Sequence, residues 1–256
     1  MTLRAVVLGC GTSSGVPRIG NDWGECDPDE PRNRRTRVSV IIESPTTRIL
    51  VDTSPDMRAQ LLGAGIADVD AIFWTHDHAD HCHGIDDVRQ LMHRAGAPIP
   101  GYARPQTLSL LRQRFTYGFD GRQGYRAIIE GRDLPDALTI GDISVRCVDM
   151  PHGYIYSTGF RFENDGRSIS YATDFHEVTE DMLAAFANVD IWIADALRKR
   201  PHPTHADLGL TLATAQRLNA KRTILTHMDQ SMDYATLRST LPEGVEPGYD
   251  GMIVEA

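Results

Sequence analysis

The amino-acid sequence predicts an α/β fold, and three observations carry the prediction. Short apolar runs bounded by turn residues recur along the 256 residues and alternate with stretches of helical periodicity. That pattern of strands followed by helices is given twice along the chain. The apolar run Asp70-Ala71-Ile72-Phe73 reads as a buried strand, and it delivers Trp74-Thr75-His76-Asp77-His78-Ala79-Asp80-His81. Three imidazoles and a carboxylate within six residues mark a site held at a strand end.

Composition bounds the function. Hydrophobic content of 41% is enough for a real core and excludes disorder, and the length suits one domain over residues 1–256. A net charge of −9 argues against gripping long nucleic acid, which takes a basic face, and favours a small substrate. No apolar run reaches the length of a membrane span, and Met1-Thr2-Leu3-Arg4 lacks the core of a signal peptide. Cys10, Cys26, Cys82 and Cys147 form no CxxC pair, so a reducing cytoplasm is expected.

Taken in order, residues 3–9 read as the first strand, followed by Gly11-Thr12-Ser13-Ser14-Gly15-Val16-Pro17. Glycine and hydroxyl residues after a strand can turn backbone N–H groups toward an anion, with Ser13 and Ser14 as candidate contacts. The lysine and spacing of a P-loop are missing, and a plain turn fits the same residues. The polar segment 21–37 ends in Arg32-Asn33-Arg34-Arg35-Thr36-Arg37. This cluster reads either as a solvated loop face or as a phosphate-gripping lip, with Arg34 its candidate contact.

Residues 38–42 and 48–52 read as a hairpin that ends at Asp52. Ser54 is the expected cap of a helix with Pro55 in its first turn, running to about Gly63. Past the histidine cluster, 86–94 reads as helix, 99–103 as strand and 107–115 as helix. His83 is placed to line the site, whereas His93 reads as a helix-surface residue. Segment 116–125 reads as a glycine-rich loop whose Tyr117, Phe119 and Tyr125 suit either base stacking or covering a core edge. Residues 143–148 alternate as a strand and deliver His152. A hairpin over 157–162 and 168–172, turning at Asn164-Asp165-Gly166, leads to Asp174. After a helix over 179–186, a buried strand over 189–194 ends at Asp195. His202 and His205 then precede a helix to Leu218, and the strand 222–226 delivers His227.

The chemistry of the first cluster follows from its donor set. Neutral imidazole and ionised carboxylate suit a zinc-class ion, and carboxylate or water ligands also admit manganese. His76 and His78 stand two apart, and Asp80 and His81 are adjacent, so a tight loop can aim each pair at its own ion. A structural zinc site would more often use cysteines and close all four positions, whereas His/Asp sites with open positions activate water.

The motif His76-x-His78-x-Asp80-His81 after an apolar strand resembles the signature of the metallo-β-lactamase-fold hydrolases. The resemblance implies a four-layer αββα sandwich of two mixed β-sheets, with helices outside and the site at one edge. It implies two divalent ions, zinc or manganese. His76, His78, His152 and Asp174 would hold one, and Asp80, His81, Asp174 and His227 the other. Asp52 would stand behind the ligands and fix a histidine ring. Asp80 and His205 would carry catalysis, with His205 (or His202 in reserve) protonating the leaving oxygen.

The run Gly11-Thr12-Ser13-Ser14-Gly15-Val16-Pro17 is similar to the opening loop of two phosphodiesterase branches of that family. These are the tRNA 3′-processing endonucleases and the phosphoribosyl cyclic phosphodiesterases of phosphonate metabolism. The latter hold a further zinc on cysteines in the 21–37 segment. Only Cys26 stands there in this chain, with Asp229 and Gln230 after His227, so that third site is expected to be absent. The expected function is metal-dependent hydrolysis of a small cyclic phosphate or nucleotide-like phosphodiester, and a homodimer is compatible with it. The alternatives are tRNA 3′-end trimming, disfavoured by the acidic charge, and a non-catalytic nucleotide- or metal-binding protein, disfavoured by the intact ligand set.

Overall fold

The computed structural model describes residues 3–256. Six strands lead the chain: β1 (Arg4–Gly9), β2 (Ser39–Glu43), β3 (Arg48–Val51), β4 (Ala71–Phe73), β5 (Ile99–Ala103) and β6 (Ile129–Asp133). Eight more follow: β7 (Ala137–Ile140), β8 (Ile143–His152), β9 (Ile155–Asn164), β10 (Arg167–Ala172), β11 (Ile191–Asp195), β12 (Arg222–Thr226), β13 (Val245–Pro247) and β14 (Met252–Glu255). They form two seven-stranded sheets, ordered β14-β1-β2-β3-β4-β5-β6 and β13-β12-β11-β10-β9-β8-β7. The helices are α1 (Met57–Ala64), α2 (Ala79–Cys82), α3 (Val88–Ala95), α4 (Pro105–Arg114), α5 (Thr116–Asp120), α6 (Glu180–Phe186), α7 (Leu208–Leu218) and α8 (Tyr234–Thr240). Among the described residues, no helix is long and apolar enough to cross a membrane.

The layers follow from strand alternation, because successive side chains point to opposite faces. In β2 and β3, Val40, Ile42, Ile49 and Val51 enter the apolar layer between the sheets, while Ile41 and Leu50 face Leu61 of α1 and Leu91 of α3. In β11, Ile191 and Ile193 point inward and Trp192 and Ala194 outward, toward Phe186 of α6 and Leu218 of α7. Phe73 and Phe160 meet across the central layer with ring centroids 5.4 Å apart. Strands buried on both faces must be apolar throughout, which is why these segments read as continuous runs. The result is the four-layer αββα sandwich of two mixed sheets.

Two local expectations are corrected. Ser54 does not cap α1, which begins at Met57. Residues 52–54 are instead used to brace the metal loop: Thr53 N donates to His81 O, and Gly84 N to Thr53 O, each at 2.8 Å. Segment 116–125 is loop only beyond Asp120, because α5 forms where Phe119 is buried in the core.

Strand polarity then gathers the polar residues. β10, β11 and β12 are mutually parallel, β8 runs the same way because it is antiparallel to β9, and β3 is parallel to β4. Within each sheet these strands therefore end on one edge. The packing behind that edge is tight at Gly101, where a Cβ would lie 2.6 Å from the Trp74 ring and 2.7 Å from Ile129. Gly101→Ala is expected to destabilise the fold by about 1–3 kcal/mol through overpacking next to the metal loop. Chemical denaturation would show this as a lower midpoint at unchanged slope.

Candidate metal centre

Each site residue sits where a strand stops. Asp52 follows β3, and Asp174 and His227 follow β10 and β12. All three adopt left-handed backbone conformations, with φ of 64°, 61° and 58°. Such conformations cost non-glycine residues free energy and concentrate at functional sites. His152 is the last residue of β8 and Asp195 the last of β11. Thr158 N of β9 donates to Thr75 O at 2.9 Å and fastens the second sheet to the metal loop.

The histidine tautomers are fixed from behind. His81 Nδ1–H donates to Asp52 Oδ2 at 2.7 Å, leaving Nε2 to face Asp174 Oδ1 at 3.3 Å and Asp80 Oδ2 at 3.5 Å. The Thr75 hydroxyl donates to Asp52, so its lone pair accepts from His76 Nδ1–H at 2.9 Å. His152 Nδ1–H donates to Thr204 O at 2.7 Å. The Nε2 lone pairs of His76 and His152 then point at Asp174 Oδ2, at 3.7 and 3.5 Å. His227 Nε2 lies 3.4 Å from Asp80 Oδ2 and 3.6 Å from Asp174 Oδ1. Lone pairs and carboxylate oxygens thus converge with too few protons between them. The buried Nε2 atoms of His76 and His81 have no hydrogen-bond partner. Such a set needs cations.

Charge responds accordingly. Burial, then His81, pushes the His76 imidazole well below its ordinary value, and burial first also lowers His152. Burial opposes ionisation of His81, but Asp174, Asp80 and Asp52 outweigh it and hold its pKa well up. His227 is likewise pushed up to about 9, Asp174 and Asp80 overcoming burial. Asp174 would be raised by burial, yet His227 and His81 hold it well below the usual carboxylate range. The carboxylates thus favour a positive charge at His81 and at His227.

Three overlapping groups can each take an ion: His76, His78, His152 and Asp174; Asp80, His81 and His227; and Asp174, Asp195, His205 and His227. All seven expected ligands are brought together, with Asp174 placed between the first two sets. Zinc-class ions fit the donor set. Asp195 is the residue that sequence reasoning overlooked. Fully buried, its Oδ2 accepts from Asp174 N and from His205 Nδ1–H, both at 3.0 Å. It grips His205 as Asp52 grips His81. The His205 ring stacks on His227 at 4.8 Å and 13°.

Of the weaker candidates, His202 stands with its ring 5.1 Å from that of His205. Ser13 and Ser14 are exposed on a loop laid along the site edge, where Thr12 N donates to Met228 O at 3.1 Å. The arginines of the 32–37 run take separate partners. Arg32 pairs with Glu30 at 2.7 Å, Arg37 pairs with Asp56 at 3.0 Å, and Arg34 lies over the Trp23 ring. Arg35 is buried and donates to Met232 O at 2.6 Å. Nearer carboxylates and carbonyls hold Arg32, Arg35 and Arg37, while Arg34 stays exposed beside Trp23.

The fold and this centre define a class. Residues 47–228, from before Asp52 to just past His227, match the family model described as the beta-lactamase superfamily domain, and the chain belongs to that superfamily. Within it, the chain is similar over its whole length to a crystal structure of a diphosphatase from the PhnP family. That likeness is 36% identity and a TM-score of 0.91, covering 100% of this chain and 98% of the other. Among curated proteins, an octanoyltransferase of Porphyromonas gingivalis is 29% identical over 98% of this chain and 51% of its own length. The chain thus spans about half of that protein. A ribonuclease Z of Mycobacterium bovis is 26% identical over 85% of this chain and 83% of its own length.

Proposed function

We infer that the chain is a dinuclear metal phosphodiesterase acting on a small phosphoric diester, either cyclic or nucleotide-like. The observation that carries this reading is the pair of imidazole–carboxylate ligand sets sharing the buried Asp174. His76, His78, His152 and Asp174 would hold one ion, and Asp80, His81, Asp174 and His227 the other. When bound, zinc or manganese supplies Lewis acidity for the phosphoryl oxygens and activates water near neutral pH.

The chain's own residues do the rest. Asp52 keeps His81 in one tautomer, and the Thr204 carbonyl does the same for His152. Asp80, held ionised against burial by His81 and His227, would orient the attacking water as well as ligate. His205, its Nδ1–H held by Asp195, would as an imidazolium give its Nε2 proton to the departing alkoxide and return to the neutral ring. Ser13 and Ser14 stand at the rim for the phosphate. The likeness to a PhnP-family diphosphatase, at 36% identity, supports hydrolysis at phosphorus. The net charge of −9 weighs against tRNA. All four cysteines are free thiols, which supports a cytoplasmic location.

Turnover on protein loaded separately with zinc and with manganese tests the reading. Ribose 1,2-cyclic phosphate, 2′,3′-cyclic nucleotides and a 3′-extended tRNA would be compared. Fast turnover of a cyclic phosphate with intact tRNA is expected. Clean removal of the tRNA trailer with slow cyclic-phosphate turnover would replace this reading with the nuclease. Metal uptake carries its own signature. Below about pH 9 an ion must displace the proton on His227, and the one on His81 as well. Apparent affinity should therefore fall about tenfold per pH unit for each proton displaced as pH drops. Calorimetric zinc titrations in buffers of different ionisation enthalpy would count the protons released.

A further inference from the structure

The excursion between α4 and β6 plays no part in the metal centre, yet it is built with care. Its ends are anchored where Ile128 N donates to Gly118 O at 2.8 Å and where Phe119 and Ile128 are buried. Between the anchors, Arg122 N donates to Tyr125 O at 3.1 Å and Tyr125 N to Arg122 O at 2.9 Å. The two residues inside this turn, Gln123 and Gly124, have φ of 52° and 87°, the left-handed pair of a type I′ hairpin. Gly121 is required beside it, since its φ is 68° and a Cβ there would collide with the Tyr125 carbonyl. Residues paired across such a turn share one face, so the side chains of Arg122 and Tyr125 stand together. With Gln123, Arg89 of α3 and Tyr117 of α5 they line a groove of about 410 Å³.

The lining has one chemistry. Asp86 steadies the far wall, taking a hydrogen bond from Arg89 Nη2 at 2.9 Å. Arg122 forms its hydrogen bonds through its backbone, which leaves its guanidinium exposed. Phenol rings offer π-faces, an exposed guanidinium adds a cation–π contact and donors for ring and sugar oxygens, and a side-chain amide can read the edge of a ring. A ligand using all of these joins a planar ring to edges rich in hydrogen-bond acceptors. A nucleotide is such a ligand. A sugar phosphate lacks the aromatic face, and an apolar ligand would leave the charges unused.

The groove is also tied to the metal loop. Arg114 donates to the backbone oxygen of Asp77 and, at 2.8 Å, to its carboxylate, between His76 and His78. The chain running on from His81 supplies Asp86 and Arg89, and the His83 ring meets Phe115 edge-on at 5.7 Å. We propose that this groove binds the nucleotide end of a phosphodiester whose scissile phosphorus lies at the metal centre. The position of the scissile group rests on the phosphodiesterase reading; the ligand of the groove does not.

Two measurements keep these apart. The first is calorimetric titration of metal-loaded protein with AMP, with inorganic phosphate as the control. Arg122→Ala and Tyr125→Ala should each weaken AMP at least tenfold and leave phosphate unchanged, while Tyr125→Phe keeps the ring and the affinity. No AMP binding, or equal affinity in wild type and both alanine variants, overturns the groove. The second compares thymidine 5′-(p-nitrophenyl phosphate) with bis-p-nitrophenyl phosphate. The alanine variants should raise KM about tenfold for the nucleotide ester alone, and an equal loss on both esters overturns the groove. If neither ester is hydrolysed but AMP binding still falls in the variants, the groove stands and the phosphodiesterase reading fails.

Discussion

Asp174→Ala is expected to lose both ions and at least about 10³-fold in turnover, the largest effect of any single substitution in this chain. Its carboxylate is the one group that reaches both ligand sets. Oδ2 lies 3.7 Å from His76 Nε2 and 3.5 Å from His152 Nε2, and Oδ1 lies 3.3 Å from His81 Nε2 and 3.6 Å from His227 Nε2. Alanine there leaves the His76, His78 and His152 set with no anion, and the other set with Asp80 alone, to offset an ion's charge. Asp52→Asn should do less. It removes the charge behind His81 but not a ligand, and such changes typically cost 10–100-fold in metal affinity. Metal content by atomic emission, read beside circular dichroism to show an intact fold, distinguishes the two. An Asp174→Ala protein that retains both ions would sink the bridging assignment.

Why this centre was legible, and where legibility stopped, has a physical basis. Strands buried on both faces must be apolar, so a charged or imidazole residue at their end stands out, as Asp52, Asp174 and His227 do. The same syntax marks Asp195 after Ile191-Trp192-Ile193-Ala194, and the like placing of Asp52 in the first half was the signal that could have revealed its role. Fold elements that lack a two-faced apolar environment were missed. β6 carries Glu130, Arg132 and Asp133, and β7 is partly exposed at a sheet edge, so neither shows a clean pattern. β14 is defined by its pairing with β1 at the far end of the chain, which no local pattern encodes. Arg35 misled for a related reason. In a basic run it reads as solvated, but it is buried with its guanidinium donating to the carbonyl of Met232, 197 residues away in sequence.

His205 offers the second large effect, and it separates two chemical roles. As proton donor, it should lower kcat by about 10²–10⁴-fold on conversion to alanine while metal content is unchanged. The loss should depend on the leaving group. A p-nitrophenolate departs without a proton, so bis-p-nitrophenyl phosphate should be hydrolysed almost normally, whereas a 2′,3′-cyclic nucleotide, which must release an alkoxide, should show the full loss. Asp195→Asn should reproduce part of the defect, because the amide no longer holds His205 Nδ1–H at 3.0 Å as a charged acceptor. The double variant should then be little worse than His205→Ala alone, as expected when one residue acts through the other. The geometry also admits His205 as a ligand beside Asp174, Asp195 and His227. In that case His205→Ala would shed an ion and slow both esters alike, and the proton-donor role would pass to another group, with His202 the nearest imidazole on its solvent side.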